Sequence, residues 1–272
     1  MQRHIAMPRW RKRIGEIPCS VEAIRLPTVD HGRISQDHEW CEVVVSGNRR
    51  RIRFHDYDRI YNIPGLYERL FYDHLKCCSP SRVVRLLADV VSDLGPDPDS
   101  LRVLDLGAGN GMVGDELHHL GVSKIVGVDI IPEAKEATLR DRPGLYDDYL
   151  VTDMTNLSPS EEERLRRENF NCLTTVATLG FGDVPTAAFT KALDLIGTSG
   201  MLAFNIKADF LRENDSTGFS RLIRQLSREE IIQIQAYCRY RHRMSISGHP
   251  LYYVAMVAKK LEDLPDHFCR IQ

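Results

Sequence analysis

From residue 101 onward, short apolar runs alternate along the chain with segments whose apolar residues recur at helical spacing. The apolar runs predict strands at residues 101–106, 124–129, 149–151, 171–177 and 200–206. The segments between them predict helices at residues 111–120, 132–139, 161–167 and 187–196. Strands separated by helices in this order predict an α/β fold with a doubly wound, mostly parallel sheet.

The pattern changes near the C-terminus. A helix is predicted at residues 228–234, and two strand-like runs at residues 238–246 and 251–258 flank the turn sequence SGHP at residues 247–250. Two such runs around a turn predict a hairpin. We therefore expect a seven-stranded sheet of the Rossmann-like kind that ends in antiparallel strands.

The N-terminal part is organised differently. Residues 40–54 contain two strand-like runs around the turn sequence SGN, which predicts a hairpin. Residues 56–74 are rich in tyrosine and predict two short helices with aromatic faces. A longer helix is predicted to begin at Ser79, because a serine followed by proline is a favourable helix start. A segment with two prolines then separates the predicted N-terminal cap region, residues 1–97, from the main domain, residues 98–272.

Composition narrows the class of protein. Of the 272 residues, 43% are hydrophobic and 27% charged, which is enough for a sizeable core. The formal net charge of -2 provides no overall basic field to attract nucleic acid or an anionic membrane. No apolar run approaches a membrane span, and the basic residues 1–13 lack a secretory signal's apolar stretch. We expect a cytosolic protein with a solvated basic start, the alternative being a transit peptide.

The cysteines indicate neither a disulfide framework nor a zinc site. There are seven of them at irregular spacing, with Cys77 and Cys78 adjacent and no CxxC pair. An odd count without paired spacing is typical of free thiols. We therefore expect free cysteines and no metal.

The stretch VLDLGAGNG at residues 103–111 contains candidate binding chemistry. Its glycines follow the first strand of the predicted sheet, where ligands of doubly wound sheets bind. A dinucleotide fingerprint would place its third glycine at Met112 instead of Gly111, and no phosphate-loop lysine follows. Asp105, at the loop entrance, would repel a pyrophosphate but would hold a cationic ammonium group, directly or through water.

This stretch resembles motif I of the class I S-adenosylmethionine-dependent methyltransferases, in which an acid and one further residue precede Gly-x-Gly-x-Gly. The resemblance covers residues 101–259, because acids at the ends of the next two predicted strands follow in the same order. It implies the methyltransferase fold, S-adenosylmethionine as cofactor and methyl transfer as the activity. Each acid alone could be a solvated strand end, but three at successive strand ends favour a site.

The resemblance also implies roles for individual residues. Asp129 would accept hydrogen bonds from both ribose hydroxyls, and Ile130 would pack on the adenine. Asp153 would bind the adenine amino group beside the backbone amide of Met154. The implied cofactor site comprises Asp105, Gly107, Ala108, Gly109, Asn110, Gly111, Asp129, Ile130, Asp153, Met154 and Leu179.

The segment ATLGFGDVP at residues 177–185 bears on the methyl acceptor. It lacks the Asp/Asn-Pro-Pro-Tyr/Phe motif of enzymes that methylate the exocyclic amines of bases. Cys172 lies inside the preceding strand, where a thiolate nucleophile for base carbon is not expected. Leu179 and Phe181 are candidate apolar walls. Asp183 is a candidate base or substrate contact, with capping of the following helix as the alternative.

Tyrosines of the N-terminal part are further candidates. In many similar small-molecule methyltransferases, a Tyr-Asp-x-x-x-x-Tyr segment folds over the cofactor as a lid, and Tyr57-Asp58 and Tyr61 resemble it with shorter spacing. Tyr67 continues this tyrosine stripe. The alternative for all three tyrosines is packing, and His249 is either a base at the rim or a solvated turn residue.

The favoured interpretation is a methyltransferase acting on oxygen or nitrogen of a small molecule, because such transfer needs mainly proximity and alignment. A catalytic residue is not required, and Asp183, Tyr57 and Tyr61 are the candidates for one. The first alternative is an RNA or protein methyltransferase that docks through the arginines of residues 49–53, which could equally protect an edge strand. The second is a cofactor-binding regulatory protein without transfer activity. The favoured interpretation expects neither a membrane nor nucleic acid as partner.

Overall fold

The computed structural model describes residues 19–28, 34–94, 97–265 and 267–268. The chain divides into two compact units, the first comprising Met1–Cys77 and Met244–His249, the second Cys78–Arg243 and Pro250–Gln272. The sequence-based expectations for residues 1–13 fall outside the described residues.

The first unit contains an antiparallel three-stranded sheet with β2 at its centre. Its strands are β1 (Val21–Arg25), β2 (Trp40–Val45) and β3 (Asn48–Arg53). β2 and β3 form the predicted hairpin, and its turn residues Ser46 and Gly47 both have positive φ. β1 was not predicted. Cys41, Val43 and Ile52 are buried on one face of this sheet.

Short helical segments precede β2 and follow β3 along the chain. A 3-10 turn at Gln36–His38 precedes β2, and α1 (Tyr57–Tyr61) and a π-helix at Glu68–His74 follow β3. The two predicted short helices are therefore present, the second with π geometry. The tyrosines of the stripe pack against one another. The ring centroid of Tyr61 lies 6.0 Å from that of Tyr57 and 5.3 Å from that of Tyr67.

The second unit is built on a seven-stranded sheet, as predicted. Its strands are β4 (Arg102–Leu106), β5 (Lys124–Asp129), β6 (Asp148–Val151), β7 (Cys172–Leu179), β8 (Met201–Lys207), β9 (Ile232–Met244) and β10 (Pro250–Lys260). Their order is β6-β5-β4-β7-β8-β10-β9. β4 to β8 pair in parallel and β10 runs antiparallel to β8, so the sheet ends in the predicted hairpin. The strand order reverses at β4, which places a ligand-binding crevice beyond the carboxyl end of that strand.

Helices connect the strands. They are α2 (Ser79–Leu94), α3 (Met112–Leu120), α4 (Pro132–Asp141), α5 (Pro159–Arg167), α6 (Thr186–Asp194) and α7 (Phe219–Arg228), with 3-10 turns at Pro98–Ser100 and Ala208–Leu211. The helix predicted at residues 228–234 is wrong, because α7 ends at Arg228 and β9 begins at Ile232. Glu230 has a φ of 55°, a left-handed conformation that a helix does not continue through.

Apolar residues at alternating strand positions cover both faces of the sheet. Leu104 belongs to the layer that contains Phe189 of α6, whereas Val103 belongs to the layer that contains Leu87 of α2 and Leu117 of α3. All five side chains are fully buried. Because α2 is part of this core, the second unit begins at Cys78, before the boundary predicted at residue 98.

None of the helices in the described ranges is long and apolar enough to cross a membrane. Within those same ranges, no group of three or more His, Cys, Asp or Glu side chains is arranged to hold a metal ion.

Candidate active site

The glycine loop lies between the end of β4 and the start of α3. Gly107 and Gly111 have φ of 70° and 87°, which residues with a side chain rarely adopt. A Cβ on Gly107 would lie 2.6 Å from Thr178 Cγ2, and one on Gly111 would lie 2.8 Å from Leu145 Cδ2. Glycine is therefore needed at both positions for the backbone conformation and for packing.

Hydrogen bonds from outside the motif hold this loop in place. The Gly107 amide donates to the Val128 carbonyl (2.8 Å), which joins the loop to β5. The Gly109 carbonyl accepts from Thr138 Oγ1 (2.9 Å) and from the Tyr149 hydroxyl (2.7 Å). Sequence reasoning missed both hydroxyl donors, because neither belongs to a recognisable motif.

The other two loop residues face the protein interior. Ala108 is buried. A Cβ on Gly127 of β5 would lie 3.1 Å from the Ala108 Cβ, so a glycine at position 127 gives Ala108 its space. Asn110 is also buried, and its carbonyl accepts from Arg142 Nη1 (2.9 Å), whose Nη2 contacts Met112 Sδ at 2.7 Å. Sequence reasoning did not identify Arg142. Ala108 and Asn110 shape the loop from beneath.

Asp129 ends β5 and faces the glycine loop. Its Oδ2 accepts from the Gly109 amide (2.8 Å) and its Oδ1 accepts from the Ile131 amide (3.0 Å). Burial raises the pKa of Asp129, opposed by these amide bonds, and the charge of Asp183 raises it further. The neighbouring Ile130 is 59% exposed, an unusual position for a large apolar side chain.

Asp105 is buried beneath the loop. Its Oδ1 accepts from Thr174 Oγ1 (2.6 Å) and its Oδ2 from the Tyr146 hydroxyl (2.7 Å). Burial raises the pKa of Asp105 to about 6, and the two hydroxyl donors oppose that rise. The sequence predicts Asp105 at the edge of the sheet where ligands bind, but it does not indicate the two hydroxyl groups that donate to this carboxylate.

Asp153 follows β6, the strand next to β5. Its Oδ1 accepts from the amide (2.8 Å) and from the hydroxyl (2.7 Å) of Thr155. The Thr152 amide donates to the Asp129 carbonyl (2.9 Å), so the ends of the two strands are joined. Met154 is buried in the core. The three predicted acids therefore lie at or near the carboxyl ends of adjacent parallel strands, with Asp105 inside β4, Asp129 at the end of β5 and Asp153 two residues after β6.

The segment at residues 177–185 leaves β7 through two glycines with positive φ. Leu179, predicted as an apolar wall of the cofactor site, is 3% exposed and packs in the core. The Asp183 amide donates to the Gly180 carbonyl (3.2 Å). The residue that caps α6 is Pro185, so the capping alternative for Asp183 is not what the structure shows.

Phe181 forms an apolar wall with residues after β8. Its ring centroid lies 4.9 Å from that of Phe210, with the rings edge to face. Lys207 Nζ lies 5.2 Å from the Phe181 centroid and 3.7 Å from Asp209. A Cβ on Gly180 would lie 2.3 Å from the Phe210 ring, so glycine allows this approach.

The remaining candidates lie in the first unit. Tyr61 is 6% exposed, and its ring stacks on that of Tyr57 and contacts that of Tyr67 at a tilt, so it packs within that unit. His249 closes the turn that begins at Ser245, whose amide donates to the His249 carbonyl (2.8 Å). The proposed functions of Tyr57, Tyr61 and His249 in catalysis stay predictions.

The first unit also presents an arginine face, which we define as the side of its sheet that carries Arg25, Glu42, Trp40, Arg49, Arg51 and Arg53. Arg50 lies on the opposite side of β3. The Arg51 guanidinium stands 3.8 Å from the Trp40 ring centroid. A cavity of about 440 Å³ adjoins this pair, lined by Ile34, Ser35, His38, Trp40, Arg51 and Arg53.

The fold and the site together define a doubly wound domain with a ligand loop at the carboxyl ends of its strands. The family model described as "Methyltransferase domain" matches residues 81–252, more than half of the chain. The chain therefore belongs to this methyltransferase family. Membership confirms the resemblance to the class I S-adenosylmethionine-dependent methyltransferases and the expected enzyme class. The comparison with curated proteins returned no match.

Solved structures resemble the chain in fold. The N-methyltransferase NodS from Bradyrhizobium japonicum WM9, in complex with S-adenosyl-L-homocysteine, is 15% identical, with a TM-score of 0.52 over 77% of this chain and 98% of that one. Magnesium protoporphyrin IX methyltransferase from Synechocystis PCC 6803, with bound S-adenosylmethionine, is 15% identical, with a TM-score of 0.47 over 66% and 79%. At 15% identity the likeness to NodS concerns the fold alone.

Proposed function

We propose that this methyltransferase transfers a methyl group from S-adenosylmethionine to an oxygen or nitrogen of a small molecule in the cytosol. The hydrogen bond from the Gly109 amide to Asp129 carries the proposal, because it joins the glycine loop to the acid of the next strand. A cofactor with an amino-acid portion and a ribose needs such a pair, namely glycines whose missing side chains allow close approach and a carboxylate for hydroxyls.

The residues at the strand ends fit this cofactor chemically. A carboxylate has about four acceptor sites, so Asp129 can bind ribose hydroxyls while it accepts its two amide bonds. Ile130 offers an exposed apolar side chain for the adenine. Asp153, with the Met154 amide, is assigned to the adenine amino group, and Asp105 to the ammonium group.

Methyl transfer requires little of the chain beyond alignment and exclusion of water. When bound, S-adenosylmethionine supplies a methyl group on a sulfonium whose sulfur keeps the bonding electrons and leaves as a thioether. Asp183 would receive the proton that the acceptor loses, with water as the other recipient. Its charge raises the pKa of Asp129, so the two carboxylates are close enough to interact.

The wall formed by Phe181, Phe210 and Lys207 supports a small, partly polar acceptor. Two rings at 4.9 Å provide apolar area, and the ammonium group of Lys207, paired with Asp209, adds a polar group beside them. Pockets for small molecules commonly combine apolar surface with few polar groups. Asp183 lies in the same loop as Phe181 and would face an acceptor held there.

The test uses S-adenosylmethionine with a deuterated methyl group, incubated with the protein and a metabolite extract. Mass spectrometry should find a labelled small molecule with the wild-type protein. Gly109→Val is the control, because valine does not adopt the φ of 55° found there and should abolish labelling. Binding of the cofactor without a labelled product in extracts of several growth conditions would instead favour a regulatory protein.

A second candidate is an RNA acceptor, which the arginine face favours. Four arginines, one glutamate and a tryptophan share one side of the sheet, and single strands bind by phosphate contacts and base stacking. Arg51 and Trp40 already stack at 3.8 Å, which gives a base a flat platform beside the cavity. The opposite side of the sheet carries the buried Cys41, Val43 and Ile52 together with Arg50, so most of the charge lies on the arginine face.

A matched pair of variants tests this candidate. Arg51→Ser should weaken binding of a labelled single-stranded oligouridylate, measured by fluorescence anisotropy, whereas Arg50→Ser on the opposite side should not. Binding should also weaken steeply between about 50 and 200 mM salt, as phosphate contacts require. Equal effects of the two variants, or no binding by the wild-type protein, would contradict the RNA acceptor and leave the small molecule as the one proposed acceptor.

A further inference from the structure

A buried hydrogen-bonded network lies within the second unit, and Asn205 of β8 is at its centre. Asn205 Oδ1 accepts from the Ala177 amide (2.6 Å). Its Nδ2 donates to the Tyr240 hydroxyl (2.6 Å) and to Ser79 Oγ (3.1 Å). Asn205 has no exposed surface, and both N–H groups and the oxygen of its amide are engaged.

The far end of this network fixes the orientation of that amide. Ser79 Oγ lies 2.6 Å from the Tyr240 hydroxyl and 2.5 Å from His242 Nδ1. Burial lowers the pKa of His242 well below its ordinary value, which favours the neutral ring. Asn205 Nδ2 donates to Ser79 and to Tyr240, whereas the Ala177 N–H can only donate. With the amide nitrogen committed to this side, the Asn205 oxygen must face Ala177.

Ala177 needs this acceptor because β7 bulges there. Thr175 pairs with Phe204 and Leu179 with Ile206, so β7 contains two more residues than β8 over the same stretch. Ala177 has a φ of 62°, a costly conformation for a residue with a side chain. Its amide donates to a side chain instead of a strand partner, and a buried amide without an acceptor would be destabilising.

The bulge touches the glycine loop. Thr178, the residue after Ala177, places its Cγ2 2.6 Å from the position that a Cβ on Gly107 would occupy. Its Oγ1 lies 2.7 Å from Thr175 Oγ1, which holds the methyl group towards Gly107. A shift of the bulge would therefore move the surface on which Gly107 rests.

We propose that Asn205 is a positioning residue for cofactor binding, acting through Ala177 and Thr178 on the glycine loop. The inference rests on the proposed cofactor site at residues 107–111. It assigns a functional role to an uncharged residue that would not contact the cofactor itself.

Calorimetry with S-adenosylhomocysteine tests this role, at a temperature well below each variant's melting midpoint. Asn205→Leu should raise the Kd about 10-fold, which corresponds to the loss of roughly one buried hydrogen bond. Asn205→Asp should restore the Kd to within about threefold of wild type, because its carboxyl group still accepts from Ala177. Amide exchange at Ala177 should accelerate in Asn205→Leu and not in Asn205→Asp.

Ser79→Ala is the matched control. It removes the bonds of Ser79 to Tyr240, His242 and Asn205 Nδ2, but it leaves the bond from Asn205 to Tyr240 and the bond from Ala177 to Asn205. It should therefore lower the melting midpoint with little change in Kd. A wild-type Kd in Asn205→Leu, or an equal rise in Ser79→Ala, would overturn the inference and leave the proposed function intact. If Asn205→Leu does not fold, the Kd of Thr178→Ser is measured instead, because Thr178 connects Ala177 to the glycine loop. An unchanged Kd in Thr178→Ser also overturns the inference. Failure of the wild-type protein to bind overturns both.

Discussion

Cofactor binding should weaken as the pH falls through the pKa of Asp105. Burial raises that pKa to about 6, and an ammonium group binds only the ionised carboxylate. Between about pH 7.5 and pH 5, the ionised fraction falls to roughly one tenth, so the Kd for S-adenosylmethionine should rise about 10-fold. Binding near pH 6 should release a proton, because the ammonium group lowers the pKa of its partner.

The same carboxylate should lower the stability of the free protein above pH 6. The pKa of Asp105 in the folded protein, about 6, is higher than the ordinary value of 3.8. The stabilising contribution of the protonated carboxyl group is therefore complete below pH 3.8 and is lost as the pH rises through 6. The difference corresponds to about 3 kcal/mol at most. Asp105→Asn should therefore melt higher than wild type at pH 7.5, and the gap should close in acid, while cofactor binding weakens at neutral pH.

Calorimetry across this pH range checks the reasoning, with Asp105→Asn and Asp129→Asn compared with wild type. Asp129 is the needed control because burial raises its pKa too. The pH dependence of the Kd for S-adenosylmethionine should disappear in Asp105→Asn and persist in Asp129→Asn. The opposite pattern, or a wild-type Kd that is the same at pH 5 and pH 7.5, would show that Asp105 does not hold the ammonium group.

Three further outcomes are expected. Asp129→Ala should raise the Kd for S-adenosylhomocysteine about 10- to 100-fold by calorimetry, because it removes the ribose acceptor and the partner of the Gly109 amide; an unchanged Kd in a folded variant contradicts this. Asp153→Asn should weaken S-adenosylmethionine and S-adenosylhomocysteine alike without changing the labelled product; normal binding would make it an ordinary strand end. Gly107→Ala should lower the melting midpoint, and adding Thr178→Ser should recover part of the loss, since it removes the methyl group 2.6 Å away; no recovery refutes the clash.

Much of the second unit could be predicted because its pattern is local. Lys124–Asp129 has the predicted bounds, and β4 differs from its prediction by one residue. The parallel strands β4, β5, β7 and β8 are mostly buried runs, which is the pattern of a parallel sheet covered on both faces. The acids could be placed for the same reason, since each lies within two residues of the end of a strand.

The errors occur where local pattern and structure diverge. Residues 228–234 contain acids and isoleucines that suit a helix, but the alternation from Ile232 to Tyr240 belongs to a strand whose start the left-handed Glu230 marks. β1 is short and only one of its five residues is fully buried, so its pattern is weak. Helix and strand signals of this length are ambiguous without tertiary contacts.

The parts of the site that sequence could not reveal are the partners of its predicted residues. Asp105 is paired with Tyr146 and Thr174, which lie 41 and 69 residues away along the chain, and Gly109 with Tyr149, 40 residues away. Nothing in the loop motif specifies these distances. One local signal was present, because the glycine at position 127 inside β5 marks a close approach, here by Ala108 and Tyr149. In the proposed role of Asp105 the hydroxyls matter because they oppose the rise of its pKa, so the carboxylate is ionised near neutral pH, where it would bind an ammonium group.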